Sequence, residues 1–329
     1  MTKLPPTLKA RTTVIFVEGI PGSGKSTFAQ RLSFHLQKCG YRARWHHEND
    51  RNHPAIAVGT PNEWDFHDVE RRLAGWKQFI AQATAGREIV ILESALLQKQ
   101  LNRYVKERKE SELPVLFDPL YRILKKAQPV LIQLRQSSIQ SHFQWLSTVR
   151  RDALSHFARI AKPFAARDDI DDLSLICAYY SRIQKVSANY AKRFPGQVIV
   201  LNQANNDWIG SFNQICRKFG VPEYTPARIP RHLISQLSGT YKRDDGIELV
   251  VVEAKGGRLQ IKHDGDLDLV DRERLLFFID NRPDEIRFEL ASGAVPKLRM
   301  GAGTMVGTGT HKRTVPDRFT VDRVFSKLH

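Results

Sequence analysis

The chain has 329 residues, longer than a single small module and long enough for two domains, each with its own core. Its 41% hydrophobic and 26% charged residues lie in the ordinary globular range, which excludes collagen-like repeats, coiled-coil rods and wholesale disorder. Lys and Arg number 51 against 35 Asp and Glu, a formal charge of +16, so the expected partners are anionic: phosphates, nucleic acid or an acidic membrane surface.

The first residues, MTKLPPTLKART, carry charges and prolines but no apolar leader core, and no stretch reaches the roughly 18 consecutive apolar residues of a membrane span. Cys39, Cys177 and Cys216 are scattered and form no C-x-x-C pair, so a reducing, cytoplasmic setting is expected, with no disulfide framework or cysteine zinc site. Short apolar, largely β-branched runs follow at 12–18 (TTVIFVE), 41–47 (YRARWHH), 88–93 (EIVILE), 129–134 (PVLIQL) and 197–201 (QVIVL). They read as buried parallel strands. Helical spacing lies between them, as in Val69, Leu73, Trp76 and Ile80, which fall on one helix face. Alternating strand and helix predicts an α/β layered sheet.

Directly after the first run stands GIPGSGKST, which satisfies G-x-x-x-x-G-K-[ST]. Gly19, Pro21, Gly22, Ser23 and Gly24 are read as the loop whose backbone N–H groups wrap a pyrophosphate, at the positive end of a helix beginning near Lys25. Lys25 is expected to reach the β and γ phosphates, Ser26 to ligate Mg2+, and Thr27 to lie near the α phosphate. ATP and Mg2+ are the cofactors this implies.

Acids for chemistry are sought where the strands end. Glu93 closes the third run, placed to hold Mg2+ or a metal-bound water, and Glu48 and Asp50 follow the second. Each is a candidate to orient or deprotonate an acceptor. The cluster His46, His47, Glu48, Asp50 and His53 matches no helical zinc motif and is read as lining an acceptor pocket with Arg51, Trp64 and Phe66. After the fourth run, a long helical stretch carries Arg150, Arg151 and Arg159, followed by Lys162 and Arg167. Cations on a lid neutralise charge on a transferring phosphoryl group, and Arg151 and Arg159 are the candidates for that role.

The stretch 221–231 contains three prolines and is read as a linker between a first domain, 1–220, and a second, 232–300. Charge divides near the same place: Lys and Arg against Asp and Glu number 34 to 20 in residues 1–230 and 17 to 15 in 231–329. Beyond it, short alternating runs separated by Asp245-Gly246, Gly256-Gly257 and Asp264-Gly265 predict an antiparallel meander or small barrel. Residues 301–329, rich in Gly and Thr, are read as a C-terminal extension, either a further strand pair or a loosely held tail.

Through FVEGIPGSGKST, the acid after the third run, and PVLIQL followed by a helix and an arginine-bearing segment, the first 220 residues resemble P-loop kinases of the thymidylate and deoxynucleoside kinase group. That resemblance implies a five-stranded parallel sheet in the order 2-3-1-4-5, an acceptor site between strands two and three, and a basic lid after strand four. By the same resemblance Glu48 takes the place of an acid acting on the acceptor hydroxyl. Where thymidylate kinases have Asp-Arg-Tyr and deoxynucleoside kinases Glu-Arg-Ser, this chain has Glu93-Ser94-Ala95 and lacks the arginine, so a standard nucleoside or nucleotide acceptor is not implied. Residues from Leu237 to Met300, through LSGTY and GGRLQI, resemble the small β domain appended to some β-lactamase-like hydrolases, and no hydrolase nucleophile motif accompanies them. This implies a module for substrate recognition or interaction.

The expected function is ATP- and Mg2+-dependent phosphoryl transfer to a small hydroxyl- or phosphate-bearing acceptor. Two alternatives stand beside it: a nucleotide-responsive regulatory protein, and a kinase of polynucleotide ends. The latter is not favoured, because no nucleic-acid module is recognisable, and no membrane partner is expected.

Overall fold

The computed structural model describes residues 14–48, 53–55, 69–86, 88–149, 152–165, 170–203, 208–225, 229–243, 249–262, 265–271, 276–279, 285–290, 296–300 and 323–328. Their contacts divide the chain into two units, Met1–Tyr224 and Thr225–His329.

In the first unit strands and helices alternate: β1 (Val14–Gly19), α1 (Lys25–Lys38), β2 (Ala43–His46), α2 (Val69–Ala85), β3 (Ile89–Glu93), α3 (Gln98–Lys106), α4 (Leu113–Leu124), β4 (Val130–Gln136), α5 (Ile139–Val149), α6 (Ala153–Ala161), α7 (Asp172–Lys192), β5 (Gln197–Gln203) and α8 (Trp208–Phe219). The strands are parallel and ordered β2-β3-β1-β4-β5, the predicted α/β architecture. The runs of β1, β3 and β4 are mostly apolar and buried because both sheet faces are covered, whereas β2 at the sheet edge alternates and exposes Arg44. Val14 and Phe16 of β1 point into a core with Trp76, Phe79 and Ile80 of α2 and Tyr179 and Tyr180 of α7. Ile15 and Val17 point the other way, against Phe28 and Leu32 of α1 and Phe212 and Ile215 of α8. The Phe16 and Trp76 rings meet tilted, with centroids 5.9 Å apart. Full burial of side chains this large stabilises by about 1.5–3 kcal/mol each.

Local chemistry supports the helices. Trp76, Phe79, Ile80 and Ala83 place the buried face of α2 at helical spacing. Asp171 caps α7, its carboxylate accepting from the Ser174 N–H at 3.0 Å. The stretch read from sequence as one long helix after β4 contains two, α5 and α6, and Arg150 and Arg151 between them lie outside the described residues.

The second unit begins with α9 (Arg231–Leu237) and continues through β6 (Gly239–Arg243), β7 (Leu249–Lys255), β8 (Arg258–Ile261), β9 (Gly265–Asp271), β10 (Leu276–Ile279), β11 (Glu285–Glu289), β12 (Lys297–Met300) and β13 (Arg323–Lys327). All pairs are antiparallel between consecutive strands, and β13 returns to β6, closing a barrel. The β structure therefore does not end at residue 300: a strand within the segment read as an extension supplies the closing partner for both β12 and β6. Alternating residues fill the interior, Val250 and Val252 from β7, Leu259 and Ile261 from β8, and Ile286 and Phe288 from β11. Leu233 and Leu237 of α9 join them, and the Tyr241 hydroxyl donates to the Leu237 carbonyl at 2.8 Å.

Deleting residues 323–329 is expected to leave β6 and β12 as open edges, so amides of both strands should lose hydrogen-exchange protection while those of β1 and β4 keep theirs. Retained protection in β6 and β12 would show that the barrel holds without β13.

Candidate functional site

The carboxyl ends of β1, β3 and β4 lie side by side, and the turn from β1 into α1 is the loop Gly19–Thr27. Gly22 and Gly24 adopt φ of 76° and 81°, the left-handed region in which a side chain is strained. Gly24 is the N-cap of α1, and no side chain caps that end. The first amides of the helix therefore remain available to an anion. A Cβ at Gly22 would lie 2.9 Å from Leu146 Cδ2 and 3.2 Å from His142 Nε2, so α5 packs directly on the loop. His142 Nε2 donates to the Pro21 carbonyl at 2.9 Å, since a carbonyl can only accept.

Lys25 is 6% exposed, and its Nζ donates to the Ile20 carbonyl at 3.0 Å. The next residue turns toward β3: Ser26 Oγ donates to Glu93 Oε1 at 2.7 Å. The second oxygen of Glu93 is 3.7 Å from His47 Nε2, and both residues are buried. The structure thus brings Ser26, Glu93 and His47 together from α1, the end of β3 and the turn after β2. Glu48 is half-buried on the other side, near enough to α7 that, after burial and Tyr179, it helps push the Tyr180 phenol pKa up.

The two other histidines of the cluster after β2, His46 and His53, are held neutral. Burial, and then Arg44, lowers the pKa of His46 to about 4. Burial draws His53 well below the ordinary imidazole range, and its Nδ1 accepts from the Ala55 N–H at 3.2 Å. Among the described residues no three His, Cys, Asp or Glu side chains group as a metal site. Asp50, Arg51, Trp64 and Phe66, read from sequence as parts of the acceptor pocket, lie outside the described residues. So do Arg151 and Arg167 of the proposed lid. Arg159 is exposed on α6 with Nη2 3.4 Å from His156 Nδ1, and the described contacts do not bring it to the phosphate loop.

Sequence reasoning passed over Glu18, the residue before Gly19. It is fully buried, and its carboxylate accepts from the backbone N–H groups of Leu96 at 2.7 Å and Gln98 at 2.9 Å. It therefore caps α3 from a neighbouring strand and fixes the turn after Glu93. That turn is tight: Ser94 has φ of 54° and its N–H donates to the Val17 carbonyl at 3.0 Å. The available signal was an acid inside an otherwise apolar strand, a costly placement without partners. Burial raises the Glu18 pKa to about 7, against the opposing pull of the Gln98, Leu97 and Leu96 amides and Lys25.

The sheet order and the phosphate loop together define a P-loop nucleotide-binding fold. No protein-family model matches the chain, and no curated protein does. Among solved structures it is similar to thymidylate kinase from Ehrlichia chaffeensis, at 13% identity over 64% of this chain and 99% of that one, with a TM-score of 0.36. It is also similar to APE1195, at 21% identity over 54% and 97% of the two chains and a TM-score of 0.29. A third likeness, to the flagellar accessory protein FlaH from Methanocaldococcus jannaschii, has 14% identity, 88% and 87% coverage and a TM-score of 0.15. Likenesses this distant carry no inference about chemistry. Among the described residues no helix is long and apolar enough to cross a membrane.

Because the folded pKa of Glu18 lies above its unfolded value, its contribution to stability is full below pH 4.5 and is lost as pH rises through about 7. Over that window urea unfolding of the native chain should lose about 3 kcal/mol that a Glu18→Gln variant does not lose. Equal slopes for the two proteins would mean that Glu18 ionises without penalty.

Proposed function

We propose that the protein is an ATP- and Mg2+-dependent phosphotransferase acting on a small acceptor. The observation that carries this reading is the 2.7 Å contact between Ser26 and Glu93, which joins the hydroxyl of the phosphate loop to the acid ending the neighbouring strand. A hydroxyl and a carboxylate are hard oxygen donors, the kind Mg2+ prefers. The open space beside Gly24, where a Cβ would meet nothing within 4 Å, suits a phosphate cradle. Bound Mg2+ would supply Lewis-acid neutralisation of the phosphate charge.

The chain's own groups divide the remaining tasks. Backbone amides from Gly22 to Thr27 bind and orient the phosphates, and Lys25 exchanges its bond to the Ile20 carbonyl for a phosphate oxygen. Glu93 is committed to Ser26, so among the described candidates Glu48 is the acid left to hold the acceptor hydroxyl or take its proton. Arg159, with Arg151 outside the described residues, is the lid cation proposed to offset charge on the transferring group. Nucleoside, nucleotide, sugar and oligonucleotide ends form the acceptor panel that follows from this assignment.

With ATP labelled on its γ-phosphate, transfer to one member of that panel is expected. Lys25→Ala should lower it about a hundredfold or more, and Ser26→Ala should raise the Mg2+ concentration needed. Tight ATP binding without transfer to any acceptor would instead favour a nucleotide-responsive regulatory protein. A polynucleotide acceptor would show itself by steep salt dependence.

A further inference from the structure

A groove at the carboxyl end of β4 is not used by the chemistry assigned above. Its volume is about 510 Å3, and it lies between the turn 135–140, leading into α5, and the face of α7 carrying Ser181 and Lys185. Arg135 from one wall and Lys185 from the other are its cations, Ser137, Ser138 and Ser181 add hydroxyls, and no carboxylate is among its lining residues. Neither cation has an acidic partner among the described residues. On the same helix, by contrast, Arg182 is bound to Glu110 at 2.8 Å.

Arg135 is held in place rather than left to wander. Its Nε and Nη2 both donate to Gln133 Oε1, at 3.2 and 2.7 Å, and the amide of the buried Gln133 donates to Ser187 Oγ of α7 at 2.9 Å. Gln184 locks the same two elements together, donating to the Gln136 carbonyl and accepting from the Gln136 N–H, both at 3.0 Å. The guanidinium fork is therefore oriented before any ligand arrives, with Nη1 uncommitted among the described residues, and little ordering entropy remains to be lost on binding. Burial lowers the Arg135 pKa. Arg135 and Gln184 also line a smaller cavity that Glu18, Gly19 and Ile20 line as well, so these two residues stand between the groove and the base of the phosphate loop.

We propose that this groove is a second phosphate subsite, which seats the phosphate group of the acceptor and makes that acceptor a phosphorylated small molecule. Naming the occupant as the acceptor rests on the phosphotransfer reading; the phosphate site itself rests on the groove. Two unopposed cations on different elements, one of them a pre-oriented guanidinium, with hydroxyls between them, match a tetrahedral dianion better than a neutral polar ligand.

Calorimetric titration of the full chain with inorganic phosphate tests it, using wild type, Lys25→Ala, Arg135→Gln and Lys185→Gln. Saturable binding should survive Lys25→Ala, and it should weaken about tenfold or more in Arg135→Gln and less in Lys185→Gln. Binding abolished by Lys25→Ala but kept in the other two variants would place all the phosphate on the loop and overturn the proposal. No saturable binding in wild type would overturn it as well. Lys185 is exposed, so if Arg135→Gln fails to fold, Lys185→Gln and the charge reversal Lys185→Glu still decide. Groove binding without transfer to any phosphorylated acceptor would support the subsite and sink the transferase reading. Transfer confined to unphosphorylated acceptors, with no groove binding, would sink this inference alone.

Discussion

Parallel pairing directs every strand of the first unit the same way, and with β1 central the ends of β3 and β4 flank the phosphate loop. The polar side chains at that edge are held in a layer where water is scarce, so each needs a partner. Glu18 shows how the demand is met. Its carboxylate takes the Leu96 amide in the turn after β3 and the first amide of α3, that of Gln98, and so ties β1 to the turn that follows Glu93, the partner of Ser26. A nucleotide-binding end thus depends on an acid that touches no ligand in the proposed scheme.

The legible parts of the sequence were those governed by short-range rules. Continuous β-branched runs mark strands buried on both faces, and the phosphate loop is contiguous and needs glycine at defined backbone angles. What escaped depends on neighbours far along the chain. His142 meets Pro21 across 121 positions, and Glu18 meets Gln98 across 80. Nothing local at either residue states such a partnership. Nothing local marks Arg135, near the end of β4, and only the packing of α7 on β4 reveals its ties to Gln133 and, through it, to Ser187. The closing strand β13 was legible only as one of two alternatives, for a different reason: Gly- and Thr-rich sequence separates it from β12, and five residues carry little periodicity.

The surplus of positive charge, concentrated before residue 231, acquires specific addresses in the structure. Some of it is spent on ordinary surface pairs such as Arg182 with Glu110 and Arg103 with Glu107, which contribute little to stability when exposed. Arg135 and Lys185 are different because no acid among the described residues answers them. A basic protein attracts polyanions broadly, but selectivity comes from the few cations fixed in direction by uncharged neighbours.

In the second unit, ring closure has a consequence for association. A sheet with a free edge offers unsatisfied N–H and C=O groups to any passing extended chain, whereas here β6 and β13 satisfy one another. Backbone recruitment of a peptide as an extra strand would first require a seam of this barrel to open. Partners that leave the barrel intact must be recognised through its side chains and connecting loops, so specificity in this unit is written on its outer surface.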